Sequence, residues 1–306
     1  MSGAAMDWTW LWIPATLAAA AAQAGRNAVQ RSLTETLGTL GATQVRFLFG
    51  FPFALLFLAV VYSIDGGPLP GINGEFLAFV IGGAVAQIAA TALMLAAMRE
   101  RSFVVVTAWT KTEPIQVAIF GFAVLGDPLS LTGVLAIVLA TLGVVLMSSK
   151  GASATGKGSL RPALFGLVSG AFFALSAIGF RGAILVLDGG GFFLQSTWTL
   201  VWSLGIQSLI LIVWMLLFNR ALLIACMAAW RASIWGGLLG ACASQGWFLG
   251  FALTAAANVR TLGLVEVLFA QILSRRIFAH TSSRRELLGI ALIVIGVGIL
   301  VAVAGR

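Results

Sequence analysis

Long apolar runs separated by short charged or Gly/Pro-rich breaks set the pattern of the chain. A helix needs about 20 mostly apolar residues to cross the hydrocarbon core of a bilayer, and each run is close to that length. The pattern therefore predicts an all-α polytopic membrane protein with ten transmembrane helices. The predicted spans cover residues 8–29, 41–62, 76–98, 103–125, 131–148, 162–187, 192–218, 233–256, 260–278 and 286–304.

Two of the breaks give the chain its organisation. A Gly- and Ser-rich stretch at 151–161 predicts a linker between two five-span halves, residues 1–150 and 162–306. Between spans seven and eight, the stretch 221–230 is apolar but too short to cross a bilayer. It predicts a helix that lies along the membrane surface rather than an eleventh span.

The two halves resemble each other in sequence. A shift of 153 residues places Glu113 on Glu266. The same shift places Gly143 on Gly296. Because each half has an odd number of predicted spans, the second copy would be inverted in the membrane relative to the first. Inverted repeats are typical of secondary carriers, whose substrate site lies near the middle of the membrane between the repeats.

Composition supports the membrane class and excludes others. Hydrophobic residues make up 60% of the 306 residues and charged residues 9%, with a mean hydropathy of +1.05. The net charge of +8 comes from cations at the ends of apolar runs, so we expect no nucleic-acid partner. Cys226 and Cys242 have neither metal-ligand nor disulfide spacing, and no Walker A motif occurs. We therefore expect no metal, no cofactor and no direct use of ATP; a monomer is compatible with the sequence.

The cations between spans indicate the orientation in the membrane. The breaks after odd-numbered spans contain Arg31, Arg99, Arg101, Lys150, Lys157, Arg161, Arg220, Arg231, Arg275, Arg276, Arg284 and Arg285. The opposite side contains only Arg260 and Arg306. Because cytoplasmic loops carry the excess of Lys and Arg, this predicts odd-numbered loops in the cytoplasm and both termini outside. The predicted location is the cytoplasmic (inner) membrane.

Six ionisable side chains fall inside predicted spans: Arg26, Arg46, Lys111, Glu113, Arg181 and Glu266. A charge at the bilayer centre costs about 2.5–3.5 kcal/mol on insertion scales, so each should face a partner or a cavity. Lys111 and Glu113 are two residues apart and point to different sides of a helix, so each needs a partner on another span. We expect Arg46 to pair with Glu113, and Arg181 with Glu266. The alternative is that these ion pairs lock helices together without touching a solute.

The candidate residues of a translocation path share a polar, ionisable or indole group at membrane depth, and helix-to-helix bonding is the alternative role for each. They are Arg46, Gln87, Thr91, Trp109, Lys111, Glu113, Gln116, Ser176, Arg181, Trp198, Ser244, Gln245 and Glu266. Pro114 predicts a kink in span four, which serves either packing or a cavity. Four basic groups against two acidic ones inside the spans favour a substrate that carries a carboxylate or another anion.

Several short motifs suggest a family. Arg46-Phe47 begins span two, Glu113-Pro114 lies in span four, and Leu125-Gly126-Asp127-Pro128 follows it. This arrangement resembles the EamA-type domain of the drug/metabolite transporter superfamily, present here as two tandem copies. In the second copy, Val267 stands where the proline would be and His280 where the acid would be. The resemblance implies a transporter, and export of amino acids, related metabolites or drugs. Ten-span members of that family commonly have both termini in the cytoplasm, which is the alternative to the orientation that the cations indicate.

We therefore expect a secondary active transporter rather than an enzyme. It would move a small organic metabolite such as an amino acid by alternating access, with export favoured and with proton coupling or exchange left open. The predicted partners are the lipid bilayer and a small-molecule substrate. A non-transporting membrane scaffold or sensor is the alternative, and an intramembrane enzyme is the less favoured one because the spans lack paired His or Asp ligands.

Overall fold

The computed structural model describes residues 8–100, 109–148, 161–269 and 283–304, and within these ranges all regular structure is helical. His280 and Arg306 lie outside the described residues. The helices are α1 (Trp12–Leu48), α2 (Phe51–Asp65), α3 (Gly74–Glu100), α4 (Glu113–Phe120), α5 (Leu131–Ser148), α6 (Arg161–Leu185), α7 (Phe192–Phe218), α8 (Arg220–Ala228), α9 (Trp230–Leu253), α10 (Ala256–Leu262) and α11 (Arg284–Ala304). A single-turn π-helix, Gly121–Leu125, extends α4, and a 3₁₀ turn, Gly263–Val265, extends α10.

Glycine divides α1 into two helices. Gly38 has φ 66° and ψ −178°, a backbone conformation that a side chain would strain. The break lies between the first two predicted spans, 8–29 and 41–62. The second piece of α1 continues through α2 to Asp65, so the second span is longer than its apolar pattern indicated.

Five helical segments are long and apolar enough to cross a membrane: Ser32–Asp65, Gly74–Ala97, Leu164–Leu185, Phe192–Phe218 and Arg284–Val303. The bent pair Arg220–Ala228 and Trp230–Leu253 gives a sixth when counted as one span. Glu113–Leu125 and Leu131–Met147 are apolar but shorter. The protein is therefore a polytopic helical membrane protein, and the full count of ten stays a prediction.

The short apolar stretch between spans seven and eight forms its own helix. Helix α8 has nine residues and meets α9 at an angle of 85°. Asn219 caps its first turn by accepting a hydrogen bond from the amide of Leu222 at 3.1 Å. A nine-residue helix nearly perpendicular to its neighbour has the geometry expected of the predicted surface helix.

The main helix pairs join the first half of the chain to the second. Helix α3 packs along α6, α1 along α9, and α5 along α11, with α2 against α7 as a smaller contact. The largest cluster of buried apolar side chains includes Phe47, Phe180, Phe248 and Phe251, with members from both halves. The two halves therefore share one core.

Both halves interrupt a helix immediately before the glutamate that the repeat aligns. Lys111 and Thr112 form a turn, and α4 begins at Glu113. In the second half the 3₁₀ turn Gly263–Val265 directly precedes Glu266. Pro114 does not kink the middle of a helix as predicted. It lies in the first turn of α4, where its missing N–H leaves no hydrogen bond unmade.

Candidate functional site

Polar and charged side chains from both halves meet in the interior, and we refer to them as the central cluster. Helix α1 contributes the largest share, and α9, α10 and the two helix interruptions supply the rest. The members are Gln23, Arg26, Asn27, Arg46, Lys111, Glu113, Trp247, Arg260 and Glu266. Four cations and two carboxylates therefore share this region, which leaves an excess of two positive charges.

Glu266 is the most fully bonded residue of the central cluster. Its Oε2 accepts hydrogen bonds from Lys111 Nζ at 2.7 Å and from Gln23 Nε2 at 2.8 Å. Its Oε1 accepts a hydrogen bond from Asn27 Nδ2 at 2.7 Å. Trp247 Nε1 donates to Gln23 Oε1 at 3.1 Å and so fixes the orientation of that amide. Both carboxylate oxygens are satisfied, as burial of a charge requires.

Glu113 pairs with Arg260. Arg260 Nε lies 3.1 Å from Glu113 Oε1, and each side chain is only 10% exposed. The two atoms are close without hydrogen-bond alignment, so charge rather than directed bonding holds the pair. The Arg260 guanidinium also lies 5.0 Å from the ring centroid of Trp247 and 5.4 Å from that of Phe251, within cation–π distance.

The partners predicted for the buried charges are wrong. Glu113 takes Arg260 instead of Arg46, and Glu266 takes Lys111 instead of Arg181. The expectation that Lys111 and Glu113 use different partners is confirmed by these pairs. Arg260 was missed because it was counted as a loop cation between spans eight and nine. It lies on α10, seven residues long and packed against α4, which brings its side chain to the interior.

Two arginines of the central cluster have no ion pair among the described residues. Arg26 Nη2 donates to Asn27 Oδ1 at 2.7 Å, while Arg26 Nη1 is buried without a partner. Arg46 Nε is also buried without a partner, and its guanidinium lies 5.1 Å from the ring of Phe47. Arg26 is 6% exposed and Arg46 is 8% exposed. The excess positive charge of the cluster therefore resides on these two side chains.

Arg181 belongs to a separate charged contact. Its Nη2 lies 2.9 Å from Asp127 Oδ1, and its Nη1 donates to the carbonyl oxygens of Phe251 and Thr254 at the end of α9. Gly126, with φ 66°, ends the preceding helix in a left-handed conformation and lets Asp127 turn inward. Arg181 thus joins α6, the turn after α4 and the C-terminal end of α9.

A pocket of about 230 Å³ lies beside Asp127, between the ends of α4, α5, α10 and α11. Its lining combines Asp127, Ser130 and Asn258 with apolar residues such as Val117 and Ile137. The pocket borders the Arg181 contact and includes none of the central cluster.

Three of the predicted path residues form hydrogen bonds between helices or within one helix. Gln207 Nε2 donates to Gln87 Oε1 at 2.8 Å and joins α7 to α3. The Thr91 hydroxyl donates to the carbonyl oxygen of Gln87 at 2.8 Å within α3. Gln245 Nε2 donates to Thr197 Oγ1 at 2.9 Å and joins α9 to α7. Gln87 and Gln245 therefore bond between helices, the role given above as the alternative, whereas Thr91 bonds within its own helix.

The remaining candidates form no hydrogen bond, ion pair or ring contact with the central cluster among the described residues. Trp109 is 41% exposed. The amide of Gln116 donates weakly to the carbonyl of Leu167 at 3.4 Å. Trp198 packs edge-to-face on Trp202 with ring centroids 6.0 Å apart. Ser176 and Ser244 are buried on α6 and α9 respectively. Gln23, Asn27 and Trp247, which sequence reasoning missed, contribute more to the cluster than these do.

Residues 10–149 match the sequence model of the EamA-like transporter family. These residues make up most of the first half of the chain. The resemblance drawn from the motifs is thereby confirmed for that half, and the second EamA-like repeat stays a prediction.

The fold also has a counterpart among solved structures. A chain described as "Crystal structure of protein" superposes with a TM-score of 0.70 at 14% sequence identity, covering 97% of this chain and 96% of that one. At that identity the likeness concerns the fold alone. No curated protein matches the sequence.

Proposed function

We propose that the protein is a ten-span secondary transporter of the drug/metabolite transporter superfamily. It moves a small organic solute by alternating access of two inverted five-span repeats, residues 1–150 and 162–306, joined by the linker 151–161. The match of the first half to the EamA-like family supports a membrane transport function. The cation distribution supports cytoplasmic odd-numbered loops in an inner membrane, and the interior position of Arg260 removes one of the two cations that opposed it.

The packing of α5 on α11 supports the inverted repeat. A Cβ atom on Gly143 would lie 2.6 Å from the carbonyl oxygen of Gly289, and one on Gly296 would lie 2.7 Å from that of Ala136. The shift of 153 residues places Gly143 on Gly296 and Ala136 on Gly289. It therefore relates the two contacts, with the glycine and the carbonyl contributed by opposite helices in each. Ala136 of α5 faces Gly296 of α11, and Gly143, further along α5, faces the earlier residue Gly289 of α11. The two helices are therefore antiparallel. Reciprocal contacts of this kind fit a two-fold axis perpendicular to the helices, which is the axis of an inverted repeat.

The observation that carries the proposal is the exchange of ion pairs between halves. Lys111 of the first half neutralises Glu266 of the second, and Arg260 of the second neutralises Glu113 of the first. Both glutamates follow an interrupted helix, the element that carriers use to expose backbone and charge at a substrate site. A relative movement of the halves must break or rearrange these pairs, which couples the site to the movement.

A scaffold is the second candidate, and one observation favours it. The crevice beside Arg26 and Arg46 is too narrow to admit a water molecule. The other charges of the central cluster are paired with each other. A permanently solid core would suit a structural role. A carrier has the same appearance when its site is occluded, so the two functions differ in whether the site opens.

Flux through purified protein in proteoliposomes tests the proposal. We expect saturable uptake of at least one solute from a panel of radiolabelled amino acids, carboxylates and nucleosides. Glu113→Gln and Glu266→Gln should each abolish it, since each leaves a buried cation unpaired. Glu75→Gln, at an exposed position on α3, is the matched control and should retain it. Absence of flux for the whole panel, with correctly folded protein, would favour the scaffold.

A further inference from the structure

The aliphatic stems of the two unpaired arginines of the central cluster pass the same glycine of α9. An ideal Cβ atom on Gly240 would lie 3.5 Å from Arg26 Cδ and 3.6 Å from Arg46 Cγ. Both arginines line the same crevice, together with Gln30, Ala42 and Gly236. Their charges are close enough to repel each other, and Arg260 adds to that repulsion. The structure therefore holds two like charges side by side in a region shielded from water.

No carboxylate among the described residues forms an ion pair with either arginine, although Glu266 lies near enough to attract Arg26. Glu113 and Glu266 are each committed to another cation, and Arg26 reaches Glu266 only through the intervening amide of Asn27. The Arg46 guanidinium has no ion pair and no hydrogen bond within the described chain, although the residue is only 8% exposed. Like charges placed together in a poorly hydrated site are costly unless an anion completes the site.

We propose that Arg26 and Arg46 bind the anionic group of the transported solute, a carboxylate or phosphate. This inference rests on the proposed transport function and names the class of substrate. Guanidinium groups present planar pairs of N–H donors that match carboxylate and phosphate oxygens, and Asn27 holds the Arg26 fork in a fixed orientation. The free Arg26 Nη1 and Arg46 Nε supply donors for such oxygens.

The position of the pair fits a site that opens and closes. The crevice is closed in this structure, so α1 and α9 must separate for a solute to enter between them. Gly240 and Gly236 provide a face of α9 without side chains opposite the arginines. An entering anionic group would meet both guanidiniums at the point of separation and would stabilise the state that it has opened.

A binding measurement tests the arginine pair independently of transport. Thermal unfolding of the purified protein in uncharged detergent is followed with acetate, succinate and inorganic phosphate, and with acetamide and succinamide, at one ionic strength. We expect an anion to raise the midpoint by several degrees while its amide does not. Arg46→Gln and Arg26→Gln should remove this difference, and the exposed control Arg231→Gln should keep it. Equal shifts by acids and amides, or an unchanged difference in Arg46→Gln, would overturn the proposal.

The phosphate of a lipid headgroup could supply the same anionic group as a solute. A further measurement distinguishes the two sources. Phosphatidylglycerol and phosphatidylcholine are added in turn to the detergent-solubilised protein. Stabilisation by phosphatidylglycerol that requires Arg46, without any response to the soluble anions, would assign the pair to a lipid and contradict a solute site.

Flux separates failure of this inference from failure of the transport function. For any transported acid, the ratio of its flux to that of its amide is taken within one preparation, so the fraction of folded protein cancels. We expect the ratio to fall at least tenfold in Arg46→Gln and to fall less in Arg46→Lys, which keeps the charge without the fork. If wild type transports amides or nucleosides as well as acids, the transport function stands and the anion site is wrong.

Discussion

Lys111, from the first half of the chain, and Glu266, from the second, form an ion pair of 2.7 Å in the protein interior. Glu113, two residues after Lys111, takes its cation from the second half as well. Lys111 lies in the turn that interrupts the helix just before Glu113, and the two side chains reach different partners. The interior charges thus tie the halves together in two places.

The Lys111–Glu266 pair predicts a specific pattern in a double-mutant cycle. Lys111→Met or Glu266→Gln alone leaves one buried charge unpaired, and we expect a loss of about 3–5 kcal/mol in the free energy of unfolding. Lys111→Met combined with Glu266→Gln removes both charges and should recover at least half of that loss. Chemical unfolding in a defined detergent measures all four proteins. A double variant as unstable as the sum of the single ones would show that the pair is not coupled.

The α5–α11 contact predicts matched sensitivity at two glycines 153 residues apart. Gly143→Leu and Gly296→Leu each drive a side chain into the backbone of the other helix, so both should lower the melting temperature strongly. Gly298→Leu is the control, because nothing lies within 4 Å of a Cβ atom there. We expect a loss of about 1–3 kcal/mol or more for the first two and little change for the third. Tolerance at either tight position would contradict the reciprocal packing.

The Arg181 contact predicts a change in accessibility of the pocket beside Asp127. Asp127→Asn removes the carboxylate partner of Arg181 and should loosen the turn after α4 from the end of α9. In protein whose two native cysteines are replaced by alanine, the thiol introduced by Ala257→Cys reports on this pocket, since Ala257 is 6% exposed and lines it. We expect maleimide labelling to accelerate several-fold with Asp127→Asn.

Asp65→Asn, at an exposed position, is the matched control for that labelling experiment and should leave the rate unchanged. Equal rates with Asp127 and with Asn at that position would mean that the Arg181 contact does not close the pocket.

The sequence predicts the helical class and the buried glutamates because both follow from local pattern. A run of apolar residues identifies a span wherever it packs, and Glu113 and Glu266 are conspicuous as charges inside such runs. The separate short helix α8 could be expected for the same reason, since its apolar stretch is too short to cross a bilayer. These features need no knowledge of neighbours in space.

The pairing of the charges could not be read from the sequence, because it depends on which helices meet. Arg260 lay near a predicted span boundary, where a cation normally marks a loop, and only the packing of α10 on α4 brings it to Glu113. One signal was available: Arg260 is the single charged residue between Arg231 and Glu266. Treating it like the other charges inside spans would have added it to the candidates. Gln23 and Asn27 gave no such signal, as amides occur throughout the spans.

The most direct test of alternating access places a thiol between the two cross-half ion pairs. Thr112→Cys, in protein whose native cysteines are replaced by alanine, is treated with a membrane-impermeant thiol reagent in right-side-out and in inside-out vesicles. If the halves move around the central cluster, the thiol reacts from both sides of the membrane and a transported solute slows both reactions. Reaction from neither side, or from one side alone regardless of solute, would contradict the transporter account.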